Sequence, residues 1–98
     1  MSDEKIVKLC QFGSMLGSRW LGMRIRTEIE IKLGEGDGPI ILDAAGIDSM
    51  SHSFADECFG KLVEQRGLEL LVTTVKFRNV PASAAPALRH VLSSRTHR

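Results

Sequence analysis

The chain has 98 residues, 43% of them hydrophobic and 26% charged, with a formal net charge of +1. That length supports one small domain with one core and excludes two. The near-neutral balance gives no global pull toward nucleic acid or an acidic substrate, and no run approaches the roughly 20 apolar residues of a membrane-spanning helix. Charge is unevenly placed: residues 1–69 hold 8 Lys/Arg against 12 Asp/Glu, a net −4, whereas Lys76, Arg78, Arg89, Arg95 and Arg98 make residues 70–98 a net +5. A basic C-terminal end reads as a solvated helix face and tail, with the steering of an acidic partner as the alternative. The polar, acidic start MSDEK reads as lacking a signal peptide. Cys10 and Cys58 both sit in apolar patterns outside any CxxC, the usage of reduced, buried thiols in a cytoplasmic protein.

In chain order, Lys5–Cys10 reads as a first strand, placed at a sheet edge by its lysines. Ser18 is an N-cap for a helix over Arg19–Leu33. The apolar positions of that helix are Trp20, Met23, Ile25, Ile29, Ile31 and Leu33, and Arg24, Glu28 and Lys32 share a polar row. Gly34–Pro39 is a connector: its GxGxG spacing does not fit a dinucleotide fingerprint, and no helix follows it. Ile40–Ala44 is a continuous apolar run, as expected for a central strand covered on both faces. Asp43 stands at its C-terminal end, where open α/β sheets place ligand groups.

A second helix is expected from Ser53 to Gln65, with Ser53 as N-cap and Asp56 completing an approximate capping box. Phe54, Cys58, Phe59 and Leu62 form its inward stripe, Gly60 permits close packing on the sheet, and Gly67 ends it. Leu68–Phe77 is β-rich and reads as the third strand. Arg78–Pro81 is a turn, Ser83 caps a last helix through about Leu92 with Pro86 in its first turn, and Ser94–Arg98 reads as a frayed tail. The expected fold is α/β: a single small domain over residues 1–98, core about 5–92, with a mixed sheet of about four strands flanked by helices.

The turn Ala45–Ser53 concentrates Asp48, Ser49, Ser51, His52 and Ser53, with Asp43 and Gly46 shaping its start and Asp56 close behind. Three explanations compete. Serines and aspartates cap helices and bond turn backbones without further function. Alternatively, a phosphate on Ser51 or Ser53 adds about −1.5 to −2 charge at a helix N-terminus whose amides tolerate it. Ser–His–Asp catalysis is disfavoured, because Ser51, His52 and Ser53 are sequence neighbours and no GxSxG elbow is present. His52, His90 and His97 lie in separate segments and make no metal signature. No cofactor is expected.

The pattern Ser18-Arg19, Ile41-Leu42-Asp43, Gly46-Ile47, Ser51, Ser53-Phe54-Ala55-Asp56-Glu57, Phe59-Gly60 and Val75-Lys76-Phe77-Arg78-Asn79 resembles the STAS domain of bacterial anti-sigma-factor antagonists. More closely, it resembles the STAS-like domain of unknown function. The resemblance covers about residues 5–92. It implies a non-catalytic regulatory module, monomeric or weakly dimeric, that binds a histidine-kinase-type ATPase or anti-sigma factor. Contact would run through Asp48, Ser49, Ser51, His52, Ser53 and Asp56. In the antagonists a serine in this turn is phosphorylated by the partner kinase. The aligned place falls at Ser51–Ser53, with His52 between the two serines. Binding of a nucleotide or other anion at the same helix start is the alternative, and nucleic-acid binding through Arg89 and His90 ranks last.

Overall fold

A computed structural model describes residues 4–36 and 38–96. Three parallel strands form the main sheet: β1 (Lys5–Lys8), β3 (Ile40–Asp43) and β5 (Val75–Arg78), in the order β1-β3-β5. Ile40, Ile41 and Leu42 are all buried, as in a central strand covered on both faces. β1 lies at an edge, as its lysines predict, with Ile6 exposed and Val7 buried. It stops at Lys8, and Leu9–Phe12 turns away as a 3-10 helix that buries Leu9. A second, two-stranded parallel pair joins β2 (Met15–Leu16) to β4 (Ser49–Met50). The sheets are therefore three plus two strands, all pairs parallel, and not one mixed sheet of four.

α1 (Arg19–Leu33) has the expected bounds, and Ser18 Oγ accepts from the Leu21 amide at 3.1 Å. Its buried face is Gly22, Ile25 and Ile29. Trp20, Met23 and Ile31 face outward, because the i, i+3/i+4 row that meets the core runs through Gly22 and the two isoleucines. Arg24 places its guanidinium over the Trp20 and Phe12 rings, 5.2 and 5.6 Å from their centroids, which shields part of that apolar surface.

Residues 52–66 run as one helix in three parts: α2 (His52–Ala55), a π turn (Asp56–Gly60) and α3 (Lys61–Arg66). Phe54, Cys58, Phe59 and Leu62 are buried as the stripe predicts. The Phe59 ring meets Phe54 and Phe77 edge-on, at 6.0 and 5.2 Å between centroids. Burial pushes the Cys58 thiol up, so it is inert. Cys10, in contrast, is exposed, because the chain has already left the sheet at Lys8.

The expected third strand is largely helix. Gly67, with φ +94°, breaks the chain direction, α4 (Leu68–Thr74) follows, and only Val75–Arg78 pairs with β3. A four-residue β3 offers no more ladder than that. Leu68 and Leu71, three apart, turn toward the core, Val72 is exposed, and Thr73 satisfies its hydroxyl on the Glu69 carbonyl at 2.7 Å. α5 (Ala85–Thr96) runs past the expected stop at Leu92, so Ser94–Thr96 are helical; Arg98 and His97 lie outside the described residues. Ser83 Oγ donates to the Asp48 carbonyl at 2.7 Å, which ties the approach to α5 to the residue before β4. Among the described residues, no helix is long and apolar enough to cross a membrane.

Candidate functional site

The helix over 52–66 is capped two residues earlier than expected, at Ser51 rather than Ser53. Ser51 is extended (φ −84°, ψ 161°), and its amide donates to the Leu16 carbonyl at 2.9 Å as the β2–β4 pair ends. Its Oγ accepts from the Phe54 amide at 3.0 Å and donates to the Gly17 carbonyl at 3.0 Å. Ser51 is thus the N-cap, and Ser53 lies inside the first turn. No capping box forms, since the third helical position is Phe54. We expect Ser51→Ala to cost about 1 kcal/mol of stability, the usual worth of an N-cap, and Ser53→Ala to stay within about 0.5 kcal/mol, as for a surface change. Urea denaturation of the two variants would check the contrast.

The remaining predicted residues divide into two groups. Asp43, at the end of β3, accepts from the Ala45 amide and from Asn79 Nδ2, each at 3.0 Å. Gly46 turns the chain at φ +90°, with its Cβ position only 3.3 Å from Cys10 Cβ. Asp48 donates its amide to the Ser14 carbonyl at 2.6 Å, and Ser49 opposes Met15 in the strand pair, so this stretch is strand rather than open turn. These residues build the frame.

His52, Ser53 and Asp56 instead line a shallow cleft of about 200 Å³ with Arg19, His90 and Val91. The His52 and His90 rings stand 4.9 Å apart, tilted by 36°. Arg19 Nη1 lies 3.3 Å from Asp56 Oδ2 and 3.4 Å from Glu57 Oε1. Behind it, Arg26 Nη1 donates to Glu57 Oε2 at 3.1 Å and also to the Glu57 carbonyl. That contact sits at the π turn, where the Lys61 amide reaches back to the Asp56 carbonyl. Arg19 and His90 were not among the predicted site residues. The only sequence signals for them were the Ser18-Arg19 pair and the basic last helix, and neither shows that residues 19, 52 and 90 converge. Among the described residues, no group of three or more His, Cys, Asp or Glu could hold a metal ion.

Two carboxylates titrate below their ordinary values. Asp43 is lowered from 3.8, first by the Asn79 hydrogen bond and then by the Ala45 amide, against burial. Glu57 is lowered from 4.5, first by the Arg26 hydrogen bond, with burial opposing and Lys61 and Arg19 assisting. A depressed folded-state value means that the unfolded chain binds more protons at acidic pH. The resulting stabilisation is complete above the ordinary carboxylate range and is lost as pH falls through the folded values. Urea midpoints should therefore hold from about pH 7 to 5 and fall below about pH 4.5, with a shallower fall for Glu57→Gln.

No curated protein and no solved structure matches the chain. Residues 22–83, which include α1 from Gly22, all of β3, the capped helix 52–66 and β5, match the model of the STAS-like domain of unknown function. With most of its length in that match, the chain belongs to the STAS-like domain family.

Proposed function

We propose that this domain is a non-catalytic regulatory module that binds a partner protein through the exposed start of helix 52–66, and that phosphorylation of Ser53 releases the partner. One observation carries this reading. Ser53 is exposed in the first helical turn, whereas the hydroxyl of Ser51 is engaged by both Phe54 and Gly17. Of the two predicted phosphoacceptors, Ser53 is the one a kinase can reach without dismantling a cap. The negative charge of a phosphate suits the amino end of a helix, so the fold persists while the binding surface changes. The resemblance to the anti-sigma-factor antagonists supports a histidine-kinase-type ATPase or an anti-sigma factor as that partner.

Ser53→Asp is expected to weaken partner binding roughly tenfold or more, since an added charge at an interface is costly, without moving the urea midpoint. Ser53→Ala should leave binding within about threefold. Calorimetric titration of both variants checks this, and equal affinity for wild type and Ser53→Asp would refute the switch.

A second reading is favoured by the cleft itself, which Arg19, His52 and His90 line together with Ser53 and Asp56. That arrangement suits a small anion. Saturable amide shifts around Ser49–Ala55 on nucleotide titration would support it.

A further inference from the structure

We infer that the cleft bounded by Arg19, His52, Ser53 and His90 is a receptor for a phosphoryl group. Its nitrogen donors come from three places in the chain: the first residue of α1, the first residue of α2, and α5. The two imidazoles, 4.9 Å apart, each carry an N–H whatever their charge state. Arg19 adds a permanent cation with a fork that matches oxyanions. That guanidinium is loosely held: its side chain is 57% exposed, and its contacts to Asp56 and Glu57, at 3.3 and 3.4 Å, exceed the usual length of a charge-assisted bond. A cleft of about 200 Å³ has room for a tetrahedral oxyanion, given about 30 Å³ for one water.

Asp56 is the carboxylate on the cleft wall and opposes an incoming anion, as does Glu57 beside it. Glu57 is already held by Arg26, so Arg19 can leave it without stranding a charge. Arg19 therefore turns from the two carboxylates to the phosphoryl oxygens, and His52 and His90 complete the ring of donors.

The phosphoryl group arrives either as an ester on Ser53 or as a free anion. The ester route rests on Ser53 being the phosphoacceptor; the free-anion route does not. In the ester route, Ser53 Oγ attacks the γ-phosphorus of a nucleoside triphosphate held by the kinase. The Oγ–P bond forms, the bond from γ-phosphorus to the bridging oxygen breaks, the nucleoside diphosphate leaves with the electron pair, and the hydroxyl proton passes to a base on the kinase.

The test is NMR of the full chain, following the imidazole and guanidinium ¹H–¹⁵N signals. Inorganic phosphate is titrated into the unmodified protein, and phosphoserine is separately incorporated at position 53. Saturable movement of the His52, His90 and Arg19 signals with phosphate supports the free-anion route; movement only in the ester form supports the covalent one. In either case Arg19→Gln and His90→Gln should each weaken the response, roughly tenfold for the arginine, the size of one charge-assisted hydrogen bond. Silence of all three signals in both experiments overturns the receptor. If Ser53→Asp still releases the partner in that event, the switch stands and only the clamp fails.

Discussion

Replacing Phe59 with alanine should remove about 3–5 kcal/mol of stability, the range for emptying an aromatic position in a core. Phe59 is fully buried at the π turn of helix 52–66 and packs edge-on against Phe54 and Phe77. Its ring therefore joins helix 52–66 to β5. Those neighbours lie on different elements, so they cannot both close on the cavity. A domain of this size has a total stability of about 5–15 kcal/mol, so the variant should lose a large share of it and melt well below the wild type. Ile6→Ala, at a 47% exposed position on β1, should cost less than about 0.5 kcal/mol. Urea denaturation at 25 °C would check both; a loss below about 1 kcal/mol for Phe59→Ala would contradict the packing described.

The second large effect is expected at Gly22. A Cβ there would lie 2.8 Å from the Phe54 carbonyl oxygen, 3.0 Å from Glu57 Cβ and 3.2 Å from the Cys58 amide nitrogen. Two of these are backbone atoms of the facing helix, which cannot rotate away. Helix propensity alone favours replacing glycine, by up to about 1 kcal/mol for alanine, so local and tertiary terms oppose each other here. The clash should win: Gly22→Val is expected to destabilise by about 1–3 kcal/mol, with Gly22→Ala milder. Because α1 would be pushed from helix 52–66, the Arg19 and Arg26 contacts to Glu57 should loosen as well. Gly22→Val should therefore also flatten the fall in stability below about pH 4.5 that Glu57 contributes.

Where local rules and packing agree, the elements were legible in the sequence. The apolar run Ile40–Leu42 and the Ser18-capped α1 form as their residues predict, and the lysine-guarded β1 does so as far as Lys8. Gly22 shows the limit, since its value lies in a contact with residues more than 30 positions away. The Leu68–Thr74 stretch is β-rich by composition but helical, because β3 is only four residues long and Gly67 reverses the chain just before it. β2 and β4 are two residues each and carry no period of their own. The site followed the same division. The serine cluster marked the helix start, but whether Ser51 or Ser53 caps it depends on where the β2–β4 ladder ends. Arg19 and His90 reach the cleft only through the packing of α1 and α5 around helix 52–66.

The most direct test of the partner-switching account is capture of the full chain with its bound proteins from its own cells, followed by phosphosite mapping of the captured chain. A Ser53 switch should give recovery of an ATPase or anti-sigma factor bound to the unmodified form, with phosphate on Ser53 in the fraction that has lost the partner. Phosphate on Ser51 instead, or a partner bound equally well by the Ser53-phosphorylated form, would contradict it.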